Sequence, residues 1–282
     1  MSPPPPIRRY RDFVRNRTLG ERLRTLARDG AVAALSFAPP GAAPGQWVRF
    51  PFYHHVFDDE LRGFARHLDT MAGMGDFISI DDALALLSSG DPIGGRYFCV
   101  TFDDGFKNNA TNALPILAER GVPAAFFLAA GYIGTDPGRD RDRLLGFFED
   151  GETLMEFMDW DDCRALAEAG MTIGSHTMNH ARLIDLDSDK VAVELQTSKE
   201  VIEENLGRPC LHFCCPWGRP GQDFLPERDP GIAAAQGYRS FLTTVRGAMG
   251  PGSDPMGVRR DHLLANWSPR QLRYFFARGS AP

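Results

Sequence analysis

The chain has 282 residues, of which 43% are hydrophobic and 24% are charged, so it has the composition of a folded globular protein. With 31 basic and 37 acidic side chains its formal net charge is −6, and a mildly acidic chain lacks the basic surface that nucleic acid binding requires. No stretch approaches the roughly 20 apolar residues that span a bilayer, so we expect no transmembrane segment.

Residues 1–45 are predicted to form an N-terminal helical extension. The proline-rich start at 1–6 cannot begin a helix, whereas Thr18 and Glu21 have the spacing of a capping box that opens a basic helix. Eight arginines lie within residues 1–30. We interpret them as a solvated helix face rather than as an arm that binds an anionic partner. A Pro/Gly-rich linker at 38–45 separates this extension from a catalytic domain at 46–282.

From residue 46 onward, short apolar runs alternate with helical patterns. The run at 97–102 is almost continuously apolar, which is typical of a strand buried on both faces. The other predicted strands are 47–53, 124–129, 171–175, 211–215 and 241–245. The predicted helices are 58–72, 80–89, 108–120, 160–169, 188–206, 230–236 and one opening at Ser268, and a loop fills 134–152.

This alternation of strands and helices defines the fold class as α/β with a parallel sheet. At this length and with six or seven units, a (β/α) barrel is favoured over an open doubly wound sheet. A dinucleotide-binding version is disfavoured because no GxGxxG motif follows a strand.

Polar residues cluster directly after three of the predicted strands. Asp103 and Asp104 follow the strand at 97–102, His176 and His180 follow the strand at 171–175, and the Pro216-Trp217 pair follows the strand at 211–215. The carboxyl ends of parallel strands share one face, so these clusters should meet in space. The sequence therefore predicts a functional site at this face.

The two histidines have the spacing of a metal-binding pair. Positions i and i+4 bring both imidazoles to one side of a turn, and a carboxylate from the neighbouring strand end would complete a site for Zn²⁺ or non-haem Fe²⁺. In the Asp103-Asp104 pair, adjacent side chains point in opposite directions, so one could bind the metal and the other face the reacting water. The alternative for this pair is an acidic helix N-terminus before Lys107.

Cysteine usage indicates a cytoplasmic protein. The five cysteines are odd in number, show no framework spacing, and include the adjacent pair Cys214 and Cys215. The short apolar run at 31–38 follows a long segment with its own helix signal, which disfavours a signal peptide.

Two motifs resemble those of the polysaccharide deacetylase family, carbohydrate esterase family 4. The residues at 101–105 read TFDDG, and those at 175–180 match the H-[ST]-x-x-H pattern together with the preceding serine. The resemblance extends over about residues 50–263. It implies a distorted, seven-stranded (β/α) barrel, and a divalent metal, most commonly Zn²⁺, held by Asp104, His176 and His180. It also implies that Asp103 is the catalytic base.

The sequence departs from the family pattern at the arginine that normally supports the base. The family motif reads Arg-x-Pro-aromatic, but here Cys214 occupies the arginine position. Some members carry a compensating arginine late in the chain, and Arg259 and Arg260 fit that position. We favour Arg260, because it adjoins Asp261 and His262 and would bring both to the site.

The general acid is a second departure, since the usual Leu-x-His motif is absent. His262 is the favoured replacement, with His54 and His55 as further candidates. By analogy with the family, Pro216 and Trp217 would line the substrate site and the Trp217 N–H would stabilise an oxyanion.

The resemblance implies hydrolytic removal of N-acetyl, or O-acetyl, groups with release of acetate. The expected substrate is an N-acetylated oligo- or polysaccharide or a sugar conjugate. Two alternatives stay open: a cyclic amide or ureide hydrolase on the same fold, and a non-catalytic sugar-binding relative. The sequence does not define the oligomeric state.

Overall fold

The computed structural model describes residues 5–15, 45–148 and 150–278, with single positions at 20, 23, 27, 30, 31 and 34. The predicted capping-box helix near 18–26 and the predicted linker at 38–45 therefore lie outside the described residues, apart from isolated positions. Within the described part of the chain, none of the helices has the length and apolar character needed to cross a membrane.

Helices and strands alternate along the chain. The strands are β1 (Trp47–Arg49), β2 (Pro51–Tyr53), β3 (Asp76–Phe77), β4 (Arg96–Phe98), β5 (Val100–Phe102), β6 (Ala124–Leu128), β7 (Thr172–Ser175), β8 (His212–Cys214), β9 (Ser240–Leu242) and β10 (Asp261–His262). The helices are α1 (Tyr10–Arg15), α2 (Leu61–Ala72), α3 (Ile80–Ser88), α4 (Leu114–Glu119), α5 (Arg141–Leu145), α6 (Trp160–Glu168), α7 (Ser188–Leu206), α8 (Asp229–Ala235) and α9 (Pro269–Arg278).

Seven parallel strands form the main sheet in the order β10-β2-β5-β6-β7-β8-β9. The segment around β10 joins the two edges of this sheet. On one side, the Thr243 N–H donates to the Val258 carbonyl at 2.9 Å, and on the other the Leu263 N–H donates to the Phe52 carbonyl at 3.0 Å. This closure confirms the predicted seven-stranded, distorted (β/α) barrel.

Two predicted strands are each divided in the structure. The runs at 47–53 and 97–102 pair in one register throughout, but each is interrupted once, at Phe50 and Cys99. Their first halves, β1 and β4, form a small parallel sheet with β3, and their second halves join the barrel. The two-residue strands β3 and β10 were not predicted, because two residues are too few to show a periodic pattern.

Strand β5 shows how the alternation of side chains builds the site. Val100 and Phe102 pack outward in a cluster that includes Phe64 of α2. Thr101 points to the opposite face, where its hydroxyl contacts the Arg260 side chain at 3.3 Å. Asp103 follows two residues later on this inner face, at the carboxyl end of the strand.

Candidate functional site

The polar clusters that follow separate strands meet at the carboxyl-end face of the barrel. They line a cavity of about 400 Å³. The cavity is lined by Phe52, His54, Asp103, Asp104, Phe147, Phe148, His176, His180, Trp217, Arg219, Thr244 and His262. The polar residues that we predicted to meet, from the ends of three strands, therefore line one cavity. Side chains of the loop after α5 line it as well.

Asp104, His176 and His180 form a compact group of possible metal ligands. Asp104 Oδ1 lies 3.3 Å from the Nε2 atom of each histidine. The left-handed backbone of Asp104, with φ of 73°, turns its carboxylate toward the imidazoles. Burial raises the pKa of Asp104, but the two imidazoles outweigh this effect and hold it well below its ordinary value.

The Asp104 carboxylate also supplies the test of fit for a metal ion. Its Oδ1 atom is buried and has no hydrogen-bond partner among the described residues. A buried anionic oxygen without a donor is costly unless a cation satisfies it. Two imidazole nitrogens at 3.3 Å, with one carboxylate, form a donor set suited to Zn²⁺. The residues therefore fit a divalent metal.

Neighbouring groups fix the orientation of the two candidate metal-ligand histidines. His176 Nδ1 lies 2.7 Å from the Cys214 carbonyl, so this nitrogen donates and Nε2 is left as the electron-pair donor. The loop between the histidines is held by Glu194, whose carboxylate accepts the N–H groups of Met178 and Asn179 at 3.0 Å. The i, i+4 pair is thus built on a restrained turn.

Aromatic rings enclose His180. The Phe147 ring stacks on it at a centroid distance of 4.5 Å and an interplanar angle of 28°, and the Trp217 ring lies 4.5 Å away on a tilted plane. Burial lowers the pKa of His180, which favours the neutral imidazole that a metal requires. Phe147 was missed in the sequence, where it stands in a loop rich in charged residues.

Asp103 is held by a fully buried arginine. Arg260 donates from Nη1 to Oδ1 and from Nη2 to Oδ2, both at 2.7 Å, in a bidentate pair whose side chains are 0% and 3% exposed. Burial raises the pKa of Asp103, but the charge and hydrogen bonds of Arg260 outweigh it, and the pKa falls below its ordinary value. Asp103 is therefore ionised at neutral pH.

The two candidate arginines diverge in the structure. Arg259 lines a separate, open cavity with Phe224 and Met256, whereas Arg260 points into the barrel. Cys214 occupies the place of the missing family arginine, with Sγ 3.6 Å from Asp103 Oδ1. Burial raises the pKa of the Cys214 thiol well above its ordinary value, so this side chain supplies no charge.

The remaining candidates divide between the site and its surroundings. His54 and His262 line the cavity with ring centroids 5.0 Å apart, whereas His55 stacks on Phe106 at 4.2 Å and does not line this cavity. Trp217 lines the cavity, with a left-handed φ of 55°. Pro216 is buried below it and accepts the Gly218 N–H in a tight turn.

The site places the Asp103 carboxylate, paired with a buried arginine, beside a second carboxylate and two imidazoles. This arrangement defines a class: an α/β barrel with a candidate metal-binding group of one carboxylate and two histidines. Comparison with known proteins narrows this class. The family model described as polysaccharide deacetylase matches residues 91–234, about half of the chain. A chitooligosaccharide deacetylase of Rhizobium leguminosarum bv. trifolii is 30% identical over 171 residues, which cover 56% of this chain and 69% of that protein. The chain belongs to the polysaccharide deacetylase family.

Solved structures show the same fold at low sequence identity. IcaB from Ammonifex degensii has a TM-score of 0.69 at 22% identity, and the match covers 83% of this chain and 98% of that one. Streptococcus pyogenes deacetylase PplD in complex with acetate has a TM-score of 0.64 at 21% identity, covering 83% and 99%. Two other curated relatives are matched over only about half of their length, 48% and 45%.

Proposed function

We propose that the protein is a metal-dependent hydrolase that removes N-acetyl groups from a carbohydrate and releases acetate. The observation that carries the proposal is the pairing of Asp103 with Arg260 next to the Asp104–His176–His180 group. The Asp103 carboxylate is held ionised and can act as a base, and the Asp104 carboxylate faces two imidazole nitrogens. Family membership and the chitooligosaccharide deacetylase relative support a sugar as the acyl carrier.

Asp104, His176 and His180 would hold the metal, for which we propose Zn²⁺ because two imidazoles and a carboxylate suit it. A divalent ion bound there supplies Lewis-acid chemistry, which polarises a carbonyl and lowers the pKa of water.

The protein's own side chains would move the protons. Asp103 accepts a proton from the attacking water, and Arg260 keeps the carboxylate ionised and correctly oriented until then. The Trp217 backbone N–H would donate to the developing oxyanion. His262, at the cavity wall, would donate a proton to the leaving amine nitrogen. These steps give acetate and a free amino sugar.

A cytoplasmic location is part of the proposal. All five cysteines lie in the described part of the chain as buried free thiols, which is typical of a protein that works in a reducing compartment.

The test combines metal analysis with acetate release. Purified protein is assayed on N-acetylated oligosaccharides, on O-acetylated sugars and on cyclic amides and ureides, with Asp103→Asn as the matched inactive control. We expect stoichiometric zinc in both proteins, and acetate release from N-acetylated sugars in the parent but not in the control. Ring opening of a cyclic amide without acetate release would favour the alternative function of a cyclic amide or ureide hydrolase. Sugar binding with no hydrolysis would favour a non-catalytic sugar-binding protein.

A further inference from the structure

Two arginines that have no role in the proposed reaction lie on one side of the catalytic cavity, the cavity of about 400 Å³ that contains Asp103 and Asp104. Arg219 lines this cavity. The Arg182 guanidinium lies over the Trp217 ring, 4.6 Å from its centroid, and Trp217 lines the same cavity. A ligand that reaches the Trp217 side of the cavity therefore lies close to two guanidinium groups.

One buried carboxylate holds Arg219 in place. Asp223 is 0% exposed, and its carboxylate accepts the Arg219 backbone N–H at 3.0 Å, Nε at 2.8 Å and Nη2 at 3.2 Å. The segment that carries Arg182 is joined to the same residue, because the Ile184 N–H donates to the Asp223 carbonyl at 3.0 Å. Groups that are held before a ligand arrives lose little conformational freedom on binding, so this arrangement favours recognition.

Structural support of Asp223 does not account for Arg182. Its Nε atom lies 3.6 Å from Asp223 Oδ1, which is too far for a hydrogen bond, and the carboxylate already accepts three N–H groups of Arg219. Among the residues that the structure describes, neither the terminal nitrogens of Arg182 nor Nη1 of Arg219 has a hydrogen-bond partner. The two side chains are 37% and 55% exposed, so a ligand can reach these donors.

The charges at this side of the cavity are not balanced. Two guanidinium groups share the single Asp223 carboxylate, which leaves one positive charge on a chain whose formal net charge is −6. The two acidic residues that line the cavity do not offset it, because Asp103 is paired with Arg260 and Asp104 faces the candidate metal-ligand histidines. A local positive charge beside a cavity attracts an anionic ligand.

The chemistry of the unpaired donors favours a carboxylate or a phosphate over a neutral hydroxyl. Guanidinium N–H groups pair with two oxygens of such an anion, and these charge-assisted bonds are roughly twice as strong as bonds between neutral groups. A hydroxyl of a neutral sugar would accept one N–H group and would leave the positive charge without a partner.

We propose that Arg182 and Arg219 bind an anionic group carried by the acetylated sugar, so that the substrate is an acidic sugar with a carboxylate or a phosphate. This inference rests on the proposed function. The two arginines then determine specificity and take no part in the proton transfers.

The experiment compares acetate release from N-acetylglucosamine with release from three acidic sugars. N-acetylmuramic acid carries a carboxylate, and the 1- and 6-phosphates of N-acetylglucosamine carry a phosphate. In the parent enzyme we expect kcat/KM for at least one acidic sugar to exceed that for the neutral sugar by about tenfold. This ratio should fall as salt is added, because both arginine side chains are partly exposed and salt screens such charges.

Arg182→Gln tests the arginines most directly, because it leaves every hydrogen bond to Asp223 in place. It should lower the ratio by about threefold or more, whereas Arg182→Lys, which keeps the charge, should retain most of the preference. The double variant Arg182→Gln/Arg219→Gln should bring the ratio close to one. Arg164→Gln is the matched control and should leave the ratio unchanged, since Arg164 is a partly exposed arginine of α6 that pairs with Asp161 at 2.6 Å and does not line the cavity.

Calorimetry with the Asp103→Asn variant gives a readout without turnover. This variant should bind the preferred acidic sugar more tightly than the neutral sugar, and adding Arg182→Gln should reduce the difference. A ratio near one for all three acidic sugars in the parent enzyme would overturn the inference. A preference that survives the double arginine variant would also overturn it, because the anion would then bind elsewhere, for example at the metal. Absence of acetate release from every sugar, acidic or neutral, would instead overturn the proposed function.

Discussion

The pairing of Arg260 with Asp103 leads to a quantitative prediction for Arg260→Ala. The substitution removes a guanidinium that is fully buried and makes two hydrogen bonds of 2.7 Å to one carboxylate. The carboxylate stays in the barrel without its partner. Breaking a buried ion pair in this way costs about 3–5 kcal/mol, because an uncompensated charge is left behind. We expect a loss of this size in the free energy of unfolding at neutral pH.

The pH dependence of this stability loss follows from the direction in which the pKa of Asp103 is shifted. In the parent protein the pKa of Asp103 is depressed, so the pair contributes stability that is fully present above the unfolded pKa and is lost as pH falls through the folded pKa. Without Arg260, burial raises the pKa of Asp103, and the folded variant binds a proton at higher pH than the unfolded chain does. The stability difference between parent and variant should therefore shrink as pH falls, and the acid limb of the pH–rate profile should move to higher pH.

The assay is urea unfolding followed by tryptophan fluorescence, repeated at several pH values, with acetate release measured in parallel. Arg49→Met is a matched control, because Arg49 pairs with Asp261 at 2.7 Å with the same exposures of 0% and 3% but does not hydrogen-bond to Asp103. It should lose comparable stability without moving the acid limb. Adding Asp103→Asn to Arg260→Ala should recover part of the lost stability. A loss below about 1 kcal/mol in Arg260→Ala, with an unchanged pH profile, would refute the reasoning.

Three further predictions concern the catalytic cavity. Asp103→Asn should retain its zinc and its fold but lose the chemical step by at least about 10²-fold, since an amide cannot accept the proton; retention of most of kcat would mean that another group is the base. The double variant His176→Ala/His180→Ala should lose zinc, measured by mass spectrometry, and full occupancy would exclude both as ligands. His262→Gln should slow hydrolysis of an N-acetyl sugar far more than that of an aryl acetate, whose leaving group needs no proton, with His54→Gln as the comparison; equal losses on the two substrates would exclude a general acid at His262.

Local patterns in the sequence were sufficient to predict the fold and the convergence of the site. The apolar run at 97–102 predicted a doubly buried strand, and its termination at Asp103 placed both carboxylates at the carboxyl end of the barrel. The i, i+4 histidines could be recognised because their spacing is local. Every step here depends on residues that are close in the chain.

Other features depend on contacts between distant segments and left no local pattern. Phe147 stacks on His180 from a segment that we predicted as a loop rich in Asp, Arg and Gly. Strand β10 is two residues long and exists because both sheet edges supply partners to it. Phe13 packs against Phe57 and Phe148 from a segment that the sequence indicated only as a basic extension. No periodicity or motif identifies such contacts before the chain is folded.

In this chain Cys214 stands at the position of the family arginine, and Arg260 supplies the guanidinium instead. This relation can be tested by returning an arginine to position 214. Both side chains are fully buried, and both lie against Oδ1 of Asp103, at 3.6 Å from the thiol and 2.7 Å from the guanidinium. The two positions thus supply alternative sites for one cation. Cys214→Arg alone would add a second guanidinium to a filled interior, and we expect it to cost at least the ~1–3 kcal/mol typical of overpacking.

In the Arg260→Ala background the same substitution has the opposite effect. The space of the Arg260 guanidinium is then free, and the Asp103 carboxylate lacks its partner. The guanidinium introduced by Cys214→Arg can restore a bidentate pair with this carboxylate. Cys214→Arg should therefore stabilise Arg260→Ala and return the acid limb of its pH–rate profile toward that of the parent. The four proteins form a double-mutant cycle, whose interaction energy should be favourable and between about 0.5 and 3 kcal/mol. Additive losses in the double variant would mean that the two positions do not serve the same carboxylate, and that Arg260 acts through the closing strand rather than through its charge on Asp103.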